Sequence, residues 1–151
     1  MKTIKGDLVS ATVDGDVDVM LHVCNCQGVM GSGIAKQVKK YIPATFNRYK
    51  EHHALWCLEL GDVILEEGVA NLMAQKFYGR DRRHLNYGAL SQCLATLAEE
   101  LVYLQGELDK PTITVGVPFK MGSGLAGGSW EVVSELVEYY LGHHNLVCYQ
   151  L

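Results

Sequence analysis

Two glycine-rich runs carry the residue types that can hold a phosphate. The first is Gly28-Val29-Met30-Gly31-Ser32-Gly33, leading into Ile34-Ala35-Lys36. The second is Gly122-Ser123-Gly124-Leu125-Ala126-Gly127-Gly128, leading into Ser129. Glycine lets the backbone approach an anion closely, and a helix that follows adds free N–H donors and a favourable dipole. Glycine also punctuates ordinary turns, so either run alone reads equally well as structural. Two runs in one chain suggest a diphosphate held between them. Neither is a familiar nucleotide motif. Gly28 and Gly33 have P-loop spacing, yet Ile34-Ala35 stand where Lys and Ser/Thr are required. Gly122, Gly124 and Gly127 spell GxGxxG, but a dinucleotide fold needs an acid about twenty residues on. That stretch reads Leu146-Val147-Cys148-Tyr149-Gln150 instead.

Other side chains could act on a bound group. His22 lies in the apolar run VDVMLHVC and is either a general acid or base near neutral pKa or a satisfied core histidine. The run Lys76…Arg80-Asp81-Arg82-Arg83-His84 either receives an anionic group or is a solvated loop; Gly79 and Gly88 flank it and would permit a mobile lid. The pairs His52-His53 and His143-His144 fall at helix ends, where they complement the dipole and are assigned no chemistry. Cys24-Asn25-Cys26 lacks the two-residue gap of a zinc knuckle and has no second pair, so no metal site is expected.

The elements that must position these residues alternate in type. Thr3–Lys5 reads as a strand stopped by Gly6-Asp7, and Val17–Cys24 as a strand covered on both faces. A helix carrying Ile34, Val38 and Tyr41 on one face follows, and Pro43 opens another, short one. Asp62–Leu65 and Val69–Ala74 form a hairpin about Glu66-Glu67-Gly68. Tyr87, Leu90, Leu94, Leu97, Leu101 and Leu104 make the apolar stripe of a long helix. Thr112–Val117 is a strand, Ser129 caps a helix with Trp130, Val133, Val137 and Tyr140 that ends at Gly142, and Leu146–Tyr149 is the last strand. This alternation implies an α/β fold, a three-layer α/β/α sandwich around a mixed, largely parallel sheet.

Composition narrows the function classes. The chain has 151 residues, 48% hydrophobic and 20% charged, which excludes intrinsic disorder and suits one domain over 1–151. A net charge of −4 argues against gripping a nucleic-acid backbone by bulk charge. No apolar stretch approaches the ~20 residues of a membrane span. The start MKTIKGD lacks the apolar core of a signal peptide, and five scattered cysteines look like buried, reduced thiols. A cytoplasmic location is the expectation.

The order Lys5-Gly6-Asp7-Leu8, His22-Val23-Cys24-Asn25-Cys26-Gln27-Gly28, Gly31-Ser32-Gly33-Ile34-Ala35 and Pro118…Gly122-Ser123-Gly124-Leu125 resembles a macro domain over nearly the whole chain. The likeness is nearest to the small branch that includes ADP-ribose 1″-phosphate phosphatases. It implies ADP-ribose or ADP-ribose 1″-phosphate as ligand, no cofactor, and an ADP-ribosylated macromolecule as a further partner. On this resemblance Asp7, after the first strand with Leu8, accepts from the adenine amino group; read without it, Asp7 is a turn residue. Asn25 contacts the distal ribose, and Tyr149 either packs on adenine or belongs to the core. Gly31, Ser32, Gly33 and Ile34, with Met121, Gly122, Ser123, Gly124, Leu125 and Ala126, line the diphosphate. His22 aligns with a histidine proposed as catalytic in the phosphatase branch. Lys76 falls near a lysine nucleophile of a sister glycohydrolase branch, but Ala126 stands where that branch has an acid. The alternatives to a phosphatase are a non-catalytic ADP-ribose reader and a glycohydrolase acting on a carboxylate or nucleobase.

Overall fold

The computed structural model describes residues 1–151. Six strands form one sheet, in the order β1-β6-β5-β2-β4-β3: β1 Lys2–Lys5, β2 Val19–Asn25, β3 Val63–Glu66, β4 Val69–Gln75, β5 Thr114–Pro118 and β6 Asn145–Gln150. Every neighbouring pair is parallel except β3 with β4. That exception is a hairpin whose two-residue turn, Glu67-Gly68, holds both residues at positive φ, as the right-handed twist of paired strands prefers. No helix is long and apolar enough to cross a membrane.

Helices cover both faces. α4 (Tyr87–Leu108) and α5 (Trp130–Leu141) pack on one side, where Leu90, Leu94, Leu97 and Leu101 meet Val133, Val137 and the strand residues Val19, Leu21 and Val115. α1 (Leu8–Val13), α2 (Gly33–Tyr41) and α3 (Pro43–Trp56) cover the other, over Met20, Cys24, Val69 and Met73. Successive β2 side chains therefore enter opposite cores, which is why the run is apolar without alternation. Truncating a fully buried residue such as Leu97 to Ala should cost about 2–5 kcal/mol.

Three sequence expectations need correction. Tyr41 is exposed and Ile42 takes the buried place, because α2 ends there and the chain turns into Pro43. The helix that Pro43 opens is not short but runs 14 residues. Of the five cysteines, four are buried, while Cys57 is exposed just beyond α3. Apart from these, α1 is an element that the sequence reading leaves out; six residues are too few for a visible period, yet Asp7 caps them by accepting from the Ser10 N–H at 3.1 Å, and Leu8, Val9 and Ala11 are buried.

Candidate functional site

β2 and β5 lie side by side, and their following helices depart to opposite faces of the sheet. Such a divergence opens a crevice at the carboxyl ends of the strands. The ladder between them covers only Val19–Met20 against Val115–Gly116, so nothing closes the crevice farther along. Both glycine runs border it, in a cleft of about 740 Å³.

In the first loop, side chains set the shape. Asn25 Nδ2 donates to the Val29 carbonyl at 2.8 Å, and its Oδ1 accepts from the Gln27 N–H at 2.9 Å. The buried Tyr49 hydroxyl of α3 shares its one hydrogen between two oxygens of Asn25, the backbone oxygen at 2.6 Å and Oδ1 at 3.0 Å. Burial pushes the Tyr49 hydroxyl above its ordinary range, so it stays protonated. Gly28, at φ +76°, passes so close to His53 that a Cβ would lie 2.8 Å from Nδ1. Gly33 differs: it also has positive φ, but a Cβ there would meet nothing within 4 Å. α2 begins here, and no side chain caps it. The N–H groups of Gly33, Ile34 and Ala35 in its first turn have no partner in the chain.

In the second loop, glycines answer packing. A Cβ on Gly122 would lie 3.1 Å from Leu85 Cδ2, one on Gly127 3.1 Å from Arg83 Cα, and one on Gly128 2.7 Å from the Gly122 carbonyl oxygen. Gly124 alone faces open space. Loop bonds occupy the N–H groups of Ser123, Gly127 and Gly128, leaving those of Gly124, Leu125 and Ala126 unpartnered. Two consecutive runs of free donors thus border one crevice, each beside a glycine with room before it.

The cleft also has a sign. Arg80 and Lys120 line it and no carboxylate does, although the chain carries a net charge of −4. No group of three or more His, Cys, Asp or Glu side chains is placed to hold a metal ion.

Of the expected residues, Asn25, Gly31, Ser32, Gly33, Ile34, Met121, Gly122, Gly124, Leu125 and Ala126 border the cleft. Ser123 does not, its backbone turned into the loop. Asp7, Leu8 and Tyr149 lie at the carboxyl ends of β1 and β6, outside the cleft lining; Leu8 is a core residue and Tyr149 packs on Gly6. Lys76 is exposed outside the lining, with its ammonium 5.6 Å from the Phe77 ring.

His22 touches the cleft floor yet exposes 0% of its surface. Asn71 Nδ2 donates to Thr45 Oγ1 (2.7 Å) and the Ile64 carbonyl (2.9 Å), so its Oδ1 is the acceptor and the His22 proton sits on Nε2, 2.6 Å away. Desolvation lowers the imidazole pKa to about 4 against a smaller opposing contribution from Asn71. Of the two readings of His22, these contacts favour the satisfied core histidine over the general acid or base: the ring is neutral, buried and engaged with Asn71.

Sequence reading passed over Tyr49, Gln75, Tyr78 and Phe119. Gln75 ends the apolar β4 as Asn25 ends β2, a polar terminus that could have flagged it. Tyr49 offered no local signal, since its partner lies 24 residues away.

No family model matches the chain. It is 26% identical over 168 residues to an uncharacterized 17.5 kDa protein of Enterobacteria phage T4, covering 97% of this chain and 94% of that one. The Candida albicans ADP-ribose 1″-phosphate phosphatase is 28% identical over 150 residues, 95% and 96% of the two chains. The Aspergillus oryzae protein of the same name matches at 44% over 52 residues, only 34% of this chain and 24% of that protein. Among solved structures, a Bacteroides thetaiotaomicron protein of unknown function superposes with a TM-score of 0.79 at 27% identity, covering 99% and 97% of the chains. The macrodomain of Mycobacterium tuberculosis DarG gives 0.75 at 25%, over 99% and 97%. Thermosipho africanus DarTG in complex with ADP-ribose gives 0.73 at 18%, over 99% of this chain and 41% of that one.

Proposed function

Since this chain belongs to the macro domains, we propose that it binds ADP-ribose and hydrolyses the phosphate ester of ADP-ribose 1″-phosphate. One observation carries the reading: the free N–H groups of Gly33–Ala35 and Gly124–Ala126 border the same cleft from adjacent strands. A diphosphate laid between them receives donors from both sides and the positive end of α2. The N–H groups cost no reorganisation, because the loops are already shaped. Asn25 keeps one Nδ2 hydrogen beyond its bond to Val29 and turns it to the distal ribose. Asp7, Leu8 and Tyr149 take the adenine end, beyond β5. The Asp7 carboxylate holds α1 with Oδ1, leaving Oδ2 for an amino group.

With His22 buried, the reaction draws on position rather than on a strong side-chain base. Water attacks the phosphorus of the 1″-phosphate, the bond to the 1″ oxygen breaks, a proton from the water ends on that oxygen to give ADP-ribose and inorganic phosphate, and the cationic lining steadies the charge on the phosphoryl oxygens. His22 and Asn71 hold β2 in place beneath Asn25. The compartment that goes with this reading is the cytoplasm, where the free thiols stay reduced.

Calorimetric titration tests the binding, with AMP as control. Micromolar affinity for ADP-ribose and little for AMP supports the two-loop diphosphate site; equal affinity for both, or none, removes it. Phosphate release from ADP-ribose 1″-phosphate then tests the reaction. A second reading, a non-catalytic reader of ADP-ribosylated macromolecules, is favoured by the cleft's lack of any carboxylate or accessible imidazole. It expects tight ADP-ribose binding with phosphate release no faster than in buffer. Nothing in the geometry favours a Lys76 nucleophile, since Lys76 lies outside the lining and Ala126 brings no acid.

A further inference from the structure

Strand order sets a direction along the cleft. Asp7 and Tyr149 mark β1 and β6, the two donor runs follow β5 and β2, and Tyr78, Gly79 and Arg80, after β4, wall the far side. A ligand with adenine at the β6 side and diphosphate on the donors turns its 1″ end toward that wall. Arg80 is the cation that the wall presents to the cleft, whereas Lys120 comes from the loop after β5.

The turn leaves Arg80 without a counter-ion. Asp81 is the only acid in this basic run, and its carboxylate is engaged by His84 Nε2 at 2.7 Å and faced by Arg82 Nε at 4.0 Å. The Arg83 guanidinium lies over the Tyr87 ring, 4.6 Å from its centre. Arg80 takes part in none of the ion pairs of the chain. The segment that carries it is nevertheless tied at both ends. Gln75 Nε2 donates to the Phe77 carbonyl at 2.9 Å, and the N–H groups of His84 and Leu85 donate to the Ala126 carbonyl at 2.8 and 3.1 Å. An unpaired cation on a pinned turn is already positioned for an incoming anion.

We infer that Arg80 is the specificity residue of this cleft, its guanidinium taking a terminal phosphate monoester at the 1″ position in preference to the free hydroxyl of ADP-ribose. The inference rests on the ADP-ribose reading above. A planar guanidinium matches two phosphate oxygens at once and forms charge-assisted hydrogen bonds. A hydroxyl offers it neither the charge nor the second oxygen.

The test compares wild type, Arg80→Gln and Arg82→Gln with ADP-ribose and ADP-ribose 1″-phosphate, read as KM where phosphate is released and as Kd where it is not. Arg80→Gln should weaken the 1″-phosphate on the order of tenfold or more while ADP-ribose stays within about twofold. Arg82→Gln, which removes a charge that does not line the cleft, should leave both unchanged. Equal losses for both ligands in Arg80→Gln, no loss for either, or the same selective loss in Arg82→Gln would each overturn the assignment. Wild type that binds ADP-ribose no better than AMP would instead overturn the ADP-ribose reading on which it rests.

Discussion

The two glycine loops look alike as strings of residues and are built on different principles. The loop after β2 is held by a polar network, Asn25 with Tyr49, above a second one, His22 with Asn71 and Thr45. Its Gly33 has free space before it. The loop after β5 is held by contact: Gly122, Gly127 and Gly128 sit where a Cβ would strike Leu85, Arg83 or the loop itself, and only Gly124 is open. Glycine richness therefore has two causes in one molecule. In these loops the glycines with filled space in front serve the fold, while Gly33 and Gly124 leave the approach to the free donors open.

Acid should strain the polar loop first. The folded state holds His22 near pKa 4, whereas the unfolded chain has it near 6.5. Between those values the unfolded state binds a proton that the folded state refuses, so stability is full above pH 6.5 and declines as pH falls toward 4. The loss attributable to His22 is up to about 3 kcal/mol, read by denaturant unfolding across that window. His144, also lowered by burial and by His143, adds in the same direction. His22→Gln can still donate to Asn71 and should flatten the His22 share; an unaltered slope would detach it from this histidine.

Gly128→Ala should break the packed loop, costing about 2 kcal/mol, because a Cβ would meet Leu85 and a backbone carbonyl that cannot rotate away. A melting temperature equal to wild type would refute steric support. Tyr49→Phe should cost about 1.5 kcal/mol and weaken ADP-ribose severalfold, since the only hydroxyl bracing Asn25 is lost. Gly124→Ala should change stability by less than about 0.5 kcal/mol, because its space is empty and its φ is not positive. Its expected effect is instead on ADP-ribose affinity, roughly tenfold, by blocking the approach to the donors. A variant that binds as well as wild type would return Gly124 to the structural class.

Much of the fold was legible. The doubly covered β2, the leucine stripe of α4 and the Ser129 cap of α5 all follow from local spacing, because period and capping act within a few residues. α1 was hidden by its length, and the buried face of α2 was misplaced by one residue at Tyr41. At the site, both glycine runs were evident, but their division of labour was not. Gly128 is constrained by Leu85, and nothing in its neighbours along the chain announces that contact.

Sequence alone determined the alternation of strands and helices, the two loops at strand ends and the basic run beyond β4, since each depends on residues close in the chain. Tertiary structure decided which donors stay free, which glycines face the cleft, and that Arg80 rather than Arg82 or Arg83 borders it without a counter-ion. It also made His22 a neutral core residue, through a hydrogen bond to a partner 49 positions away. Protonation and accessibility depend on what is packed around a group, and for these residues that surrounding is assembled only when β2, β4 and β5 are brought side by side.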